Sequence, residues 1–267
     1  MTFRIAISSA AARAPLAAAL VLAAALAAPA RGQEGASATG DVLHGINGAW
    51  ERYPTRFSGL GSEPVNGPPP PEAIPDPPLK PMYLEEWRAK EAEIKKLTDE
   101  GLPPANNYSA CIPDGMPAMM QAMFPMEVLE TPGQVTVIEE AFNQVRRIYL
   151  DQPLVAPEEA EPRFAGHSAG HWEGDTLVVE TVGVKDRVRF RNVPHSMEMR
   201  IVERMRLVNN DFLENRVTVT DPEYLTAPWS WTWMYRRWPG YKIQEYICED
   251  NRYYADPKQG NQRLRIE

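Results

Sequence analysis

The sequence predicts a mainly β protein: an antiparallel barrel with an N-terminal proline-rich and helical cover. Two observations support this fold class. Residues 134–255 of the 267-residue chain read as short strands separated by turn signals, and successive hairpins can close into a barrel without free edges. Residues 45–133 contain a first strand, a proline-rich stretch and helical patterns, and we expect this segment to cover the barrel.

Period-two alternation and turn residues define the predicted strands. Hairpins are expected at Glu173-Gly174-Asp175, at Asn209-Asn210-Asp211 and at Pro239-Gly240. Their strands, together with two earlier ones, are predicted at residues 135–140, 145–150, 167–172, 176–184, 197–208, 212–220, 229–238 and 241–248. Such a series fits a barrel or a sandwich, and a meander of hairpins favours the barrel.

The predicted cover has three parts. Nine prolines between Pro64 and Pro81 predict an extended segment, because proline fixes φ and removes a backbone donor. Residues 83–100 predict a helix that ends at Gly101. A shorter helix is expected at residues 114–123, where a methionine stripe indicates adaptable packing as a plug or lid.

Residues 1–30 predict a secretory signal peptide. A positively charged start leads into the apolar run 16–28, and Ala28-Pro29-Ala30 has the form of a cleavage signal. The run is short for a membrane span, although an uncleaved anchor is the alternative. We therefore expect a periplasmic or secreted protein without stable membrane insertion after cleavage, with a disordered lead-in at 31–44 and a C-terminal tail at 256–267.

Cysteine content and charge limit the possible functions. Cys111 and Cys248 are the two cysteines, and in an oxidising compartment such a pair predicts a disulfide, with two unrelated buried thiols as the alternative. The formal net charge of −8 argues against nucleic acid as a partner. No phosphate-binding loop, C-x-x-C, H-x-H or H-E-x-x-H motif occurs, so neither a metal nor a cofactor is expected.

Glu203 is the principal candidate for chemistry. Alternation along residues 197–208 places it on the apolar face. A three-residue turn at Asn209-Asn210-Asp211 would pair Val208 with Phe212, Met205 with Asn215 and Glu203 with Val217, which leaves Asn215 as the polar diagonal neighbour of Glu203. Burial should raise the pKa of its carboxyl toward neutrality, as a general acid or base requires. The alternative is a structural ion pair with an arginine; three are named as candidates: Arg200, Arg216 and Arg252.

Three histidines are candidates to assist Glu203. His167 and His171 share one face of a strand, about 13 Å apart at 3.3 Å per residue, too far to share one metal. A two-residue turn places Ala169 between them opposite Glu180, whereas a three-residue turn gives a different register. His195 lies just before the Glu203 strand, and for each histidine a hydrogen-bonded structural role is the alternative.

An aromatic wall is predicted on the strand 229–238. Trp229, Trp231, Trp233 and Tyr235 alternate with smaller or polar residues, and the third hairpin would add Tyr246 opposite Trp233 and Cys248 opposite Trp231. Facing inward, these rings would line a pocket for an apolar or aromatic molecule. The alternative, to which we give equal weight, is that the rings only fill the core of the barrel.

The string from Gly166 to Thr181, GHSAGHWEGDTLVVET, resembles the signature of a large group of exported bacterial proteins. Cys111–Pro117 and Glu203-Arg204 support the resemblance, which spans most of the mature chain and implies a secreted β-rich fold without indicating an activity. Gly48-Ala49-Trp50 also has the G-x-W form with which many lipocalin-type barrels begin. The expected barrel is therefore lipocalin-like (calycin-type).

These features suggest an exported barrel that takes a hydrophobic or aromatic small molecule into its interior. As an enzyme it would be a cofactor-free lyase or isomerase, in which Glu203 moves a proton, a histidine assists and the aromatic wall holds the substrate. The alternatives are a non-catalytic carrier and a periplasmic interaction protein whose proline-rich segment docks a partner.

Overall fold

The computed structural model describes residues 44–54, 67–102 and 111–248, and two short strands beyond them. All of these residues belong to one of two compact units of the chain, Asp41–Glu267. The predicted signal peptide, the lead-in up to residue 43 and the other compact unit, Met1–Gly40, lie outside the described residues.

Nine strands form a closed barrel in which consecutive strands pair and β1 closes the ring against β9. The strands are β1 (Gly48–Tyr53), β2 (Met126–Thr131), β3 (Gln134–Glu139), β4 (Gln144–Leu150), β5 (His167–Glu173), β6 (Thr176–Val182), β7 (Arg200–Asn209), β8 (Phe212–Thr220) and β9 (Trp229–Arg237). Two further strands, β10 (Tyr253–Ala255) and β11 (Gln262–Leu264), pair with each other. The predicted barrel is confirmed, and it includes two strands that precede residue 134.

The barrel is mixed rather than purely antiparallel, because β4 and β5 run in the same direction. Strands of alternating direction close a ring only in even numbers, so a ring of nine needs a parallel pair. The ladder between β4 and β5 is short, running from Ile148↔Ser168 to Leu150↔Gly170. A parallel pair also requires a crossover, which residues 151–166 provide. The prediction of an antiparallel barrel is therefore wrong at this pair.

The hairpin of β7 and β8 matches the predicted register. Glu203 pairs with Val217 and Met205 pairs with Asn215, as the alternation of apolar residues requires. The turn alone differs, because a register shift pairs Phe212 with Asn209 instead of Val208.

The third predicted hairpin is wrong, because residues 241–248 form no strand. β1 occupies the free edge of β9, with Arg52 paired to Tyr235 and Trp50 paired to Arg237. The following segment is held instead by Glu140, whose Oε2 accepts hydrogen bonds from the Tyr241 hydroxyl and the Gln244 amide. Burial, followed by the hydrogen bond to Glu140 and the charge of Glu140, raises the pKa of the Tyr241 hydroxyl well above its ordinary value.

One of the two helices predicted for the cover forms at the expected place. Helix α1 (Pro81–Asp99) begins with a proline at its first turn and buries Trp87, whose indole donates to the Arg191 carbonyl. The expected helix at 114–123 is reduced to a 3₁₀ turn, Ala118–Gln121, which ends at Ala122 in the left-handed region.

Methionines of the cover are buried against the barrel, and the proline-rich segment is hydrogen-bonded to it. Met116, Met119 and Met120 are fully buried, and the Met120 carbonyl accepts a hydrogen bond from the hydroxyl of Tyr235 on β9. The proline-rich segment is tied down at Pro75, whose carbonyl accepts from the Trp229 indole.

Cys111 and Cys248 form a disulfide with a Cα–Cα distance of 5.6 Å, as predicted. The bond joins the cover to the segment that follows β9. It closes a loop with a sequence separation of 137 residues, and a loop of that length stabilises the folded state by on the order of 4–5 kcal/mol through loss of unfolded-state entropy.

Candidate functional site

Glu203 lies inside the barrel with 0% of its surface exposed, as the alternation predicts. Its carboxylate accepts a hydrogen bond from Asn215 Nδ2 at 2.8 Å and forms an ion pair with Arg146 Nη2 at 2.5 Å. This cation is none of the three arginines suggested by the sequence. Two of those, Arg200 and Arg216, extend from the outer face of the barrel, and the third lies outside the described residues.

Arg146 links four neighbouring strands through one guanidinium group. It comes from β4, is 1% exposed, and donates to Ser168 Oγ on β5 at 3.1 Å and Thr181 Oγ1 on β6 at 2.9 Å, in addition to Glu203 on β7. Because a buried charge is costly unless paired, this network is strongly specified. One nitrogen, Nη1, is buried without a hydrogen-bond partner in the structure.

The histidines do not join this network. The β5–β6 register pairs Ala169 with Glu180, so the two-residue turn is the one that forms and His167 and His171 face outward. His167 Nε2 lies 2.8 Å from the Glu161 carbonyl, and the exposed His171 lies 3.2 Å from Glu173. The pKa of Glu173 is lowered, mainly by its hydrogen bond from Arg204.

His195 occupies the loop before β7, where its two ring nitrogens lie 3.0 Å from the carbonyls of Ser196 and Lys185. Within the described part of the chain, no hydrogen bond joins it to Glu203. A cavity of about 20 Å³ adjoins it, which has room for about one water molecule and not for an organic ligand.

The aromatic wall faces inward as predicted, and its members pack against one another. Trp229, Trp231, Trp233 and Tyr235 are all buried. Phe190, from the loop before β7, stacks on Trp231 at 5.1 Å and meets Trp233 edge-on at 5.7 Å. Burial is the main factor raising the pKa of the Tyr235 hydroxyl far above its ordinary range. The rings thus form part of a packed core.

Tyr246 is not part of the aromatic wall, which corrects the predicted pairing with Trp233. It packs against Phe124 and Phe142, with ring centroids 5.7 Å and 5.0 Å away, and its carbonyl accepts from Asn143. The pairing of Trp231 with Cys248 is absent for the same reason: β9 pairs with β1 instead.

A cleft of about 570 Å³ lies between β4 and β5, beside their short parallel ladder. The crossover 151–166 and residues of both strands line it. Apolar side chains contribute much of the surface, including those of Phe142, Val145, Leu154, Val155 and Phe164. The cationic or basic side chains are Arg146, Arg147, Arg163 and His167, and no described residue of the lining is Asp or Glu.

A second buried carboxyl lies next to the cleft. Glu139 on β3 is 1% exposed, and burial, followed by the charge of Asp114, raises its pKa well above the ordinary value. Gln144, which lines the cleft, donates to Glu139 Oε2 at 2.6 Å and accepts from the Gly115 amide. Gln144 therefore links the lining of the cleft to the Glu139 carboxyl through a hydrogen bond.

Sequence reasoning missed both Arg146 and the cleft. Alternation on β4 offers a signal for Arg146, because Ile148 faces inward and a residue two positions earlier must do the same. The cleft depends on the strand count of the whole ring, which local patterns do not reveal.

Within the described residues, no group of three or more His, Cys, Asp or Glu side chains could hold a metal ion. No described helix has the length and apolar character needed to cross a membrane. The fold and the cleft together define a closed, mixed nine-stranded β-barrel with a lateral cleft. No protein-family model matches the chain, and no match is found among curated proteins.

Proposed function

We propose that this protein is a non-catalytic carrier that binds a small organic molecule with an apolar body in the lateral cleft between β4 and β5. The observation that supports the proposal is the cleft itself. Its volume of about 570 Å³ falls within the range of roughly 300–1,000 Å³ typical of small-molecule sites. Apolar residues supply contact area, and a small number of polar groups can orient the ligand.

The cleft is a better candidate than the barrel interior. The aromatic wall that was expected to bind the ligand is in contact with Phe190 and with its own members. Close-packed side chains leave no contact area for a ligand unless the core rearranges. The cleft, in contrast, is open in the structure as it stands.

The carrier is also favoured over the lyase or isomerase. Acid–base catalysis needs a proton-transferring group within hydrogen-bond reach of the substrate. Glu203 is enclosed by Arg146 and Asn215, and the histidines that could assist bond elsewhere. The residues selected for catalysis are thus not gathered around a common space.

The interaction-protein alternative is less well supported, because the proline-rich segment is already engaged. Its carbonyls at Ile74 and Pro78 accept hydrogen bonds from Arg191 and Thr226, and Leu79 is buried against the barrel. A segment bonded in this way would have to detach before docking a partner. The predicted signal peptide favours a role outside the cytoplasm, and the disulfide is consistent with such a role.

The experiment is a fluorescence titration with N-phenyl-1-naphthylamine, a neutral apolar dye that fits the cleft. The variant Ala169→Phe places a ring on the outer face of β5, within the cleft lining. We expect saturable binding to the wild type and at least about a tenfold loss of affinity in the variant. The matched control is Thr232→Phe, at a half-buried outward position of β9. The proposal is wrong if the wild type does not bind the dye or if Ala169→Phe binds it unchanged.

A further inference from the structure

We propose that the ligand of the lateral cleft is an organic acid, whose carboxylate is bound by Arg147 and Arg163 while its apolar body lies along the cleft. The inference rests on the proposed function and adds the charge of the ligand. It is argued from the charges around the cleft and from the hydrogen-bonding state of each arginine.

The lining of the cleft is rich in basic residues although the protein as a whole is acidic. The chain has 36 acidic and 28 basic residues, yet three arginines and one histidine line the cleft and no described lining residue is acidic. Concentrating one sign of charge in a concave, partly apolar site strengthens the local field and favours ligands of the opposite sign.

Arg147 is available for a ligand. It lies on the outer face of β4, exposed to solvent, and forms no ion pair with any residue in the described part of the chain. A guanidinium group in this position can bind a carboxylate through two parallel hydrogen bonds.

Arg163 can exchange its present partner at little cost. It pairs with Glu161 at 3.0 Å, and both side chains are more than half exposed, at 58% and 77%. Exposed pairs of this kind contribute on the order of 0–1 kcal/mol. A carboxylate placed in the cleft could therefore compete with Glu161 for this cation.

Arg146 supplies the second, independent observation. Arg146 is among the residues that line the cleft. Its side chain is almost completely buried and keeps Nη1 without a hydrogen-bond partner in the structure. A buried donor of a charged group is rarely left unsatisfied in a native protein. Glu203 already neutralises much of its charge, so we assign Arg146 a supporting position beneath the ligand and leave the direct binding to Arg147 and Arg163.

The apolar residues of the lining indicate which chemical group the body of the ligand carries. Phe142, Leu154 and Val155 offer ring and branched aliphatic surface to the same space. Burying such surface favours an aryl or alkyl group over a polyhydroxylated one. An aromatic or aliphatic monocarboxylic acid suits both the basic and the apolar residues of the cleft lining.

The test uses two ligands that share a naphthalene body and differ in the head group, the anionic 2-naphthoate and the neutral 2-naphthamide, each displacing N-phenyl-1-naphthylamine. We expect wild type to bind the acid at least about tenfold more tightly than the amide. The double variant Arg147→Gln/Arg163→Gln should lose about tenfold in affinity for the acid and keep its affinity for the amide within about twofold. Raising NaCl from about 0.05 to about 0.5 M should weaken binding of the acid alone.

The matched control is Arg216→Gln, an exposed arginine on the outer face of β8 that forms no ion pair with a described residue. It should bind both ligands as the wild type does. Equal binding of acid and amide, or equal losses for both in the double variant, would overturn the anion inference and leave the cleft as a neutral site. Failure of the dye to bind the wild type at all would overturn the proposed function and this inference together.

Discussion

The ion pair of Arg146 and Glu203 should dominate the stability of the barrel. Glu203→Leu removes the carboxylate and leaves the guanidinium, 1% exposed, with only the hydroxyls of Ser168 and Thr181. Breaking a buried pair on one side costs about 3–5 kcal/mol because an uncompensated charge stays behind. For a chain of this size such a loss lowers Tm by about 10 °C.

The assay is urea unfolding of four proteins: wild type, Glu203→Leu, Arg146→Met and the double variant. Because two well-packed apolar residues can replace a buried pair at little cost, we expect the double variant to be more stable than either single one. The coupling free energy should reach about 3 kcal/mol.

A surface pair on the same sheet is the control. Arg206 and Glu214 lie 2.9 Å apart across β7 and β8, with 49% and 22% of their side chains exposed. Glu214→Gln should cost no more than about 1 kcal/mol. The reasoning is refuted if Glu203→Leu is equally mild, or if the losses of the two single variants add up in the double variant.

Three further predictions concern other parts of the fold. Tyr235→Phe removes the donor to the Met120 carbonyl and should cost about 1–2 kcal/mol in urea; no loss would mean that water replaces the hydroxyl. Because the pKa of Glu139 is raised in the folded protein, its contribution to stability is present below its ordinary pKa and lost as pH rises through the raised one. The free energy of unfolding of Glu139→Gln should therefore equal that of the wild type at acid pH and exceed it at alkaline pH. If the free energies of the two proteins change in parallel with pH, the prediction is wrong. Replacing both Cys111 and Cys248 by serine should lower stability by about 3–5 kcal/mol, and an unchanged Tm would show that the unfolded chain is compact without the bond.

The alternation of apolar and polar residues along each strand accounts for most of the correct predictions. On β7 it placed Glu203 inside and, with the hairpin turn, gave the correct pairing with β8 at Val217. On β9 it oriented all four aromatic residues correctly. These successes share a cause: in a strand the side of each residue follows from its parity, which is a property of the sequence alone.

Contacts between distant segments were not predictable in this way. The partner of Glu203 comes from β4, which is separated from it by 57 positions and three strand positions around the ring. The false strand at 241–248 has the same origin, because its place beside β9 is taken by β1 from the opposite end of the chain. The turn between β5 and β6 allowed two registers, and only packing selected one.

The disulfide encloses eight of the nine barrel strands, β2 to β9, in one covalent loop, whereas β1 lies outside it. A protease that cuts a connection between any two of the enclosed strands yields two fragments that separate only after reduction. A cut between β1 and Cys111 leaves β1 attached by non-covalent contacts alone. Comparing reduced and unreduced digests on a denaturing gel would therefore distinguish cleavage between two of the strands β2 to β9 from cleavage between β1 and Cys111.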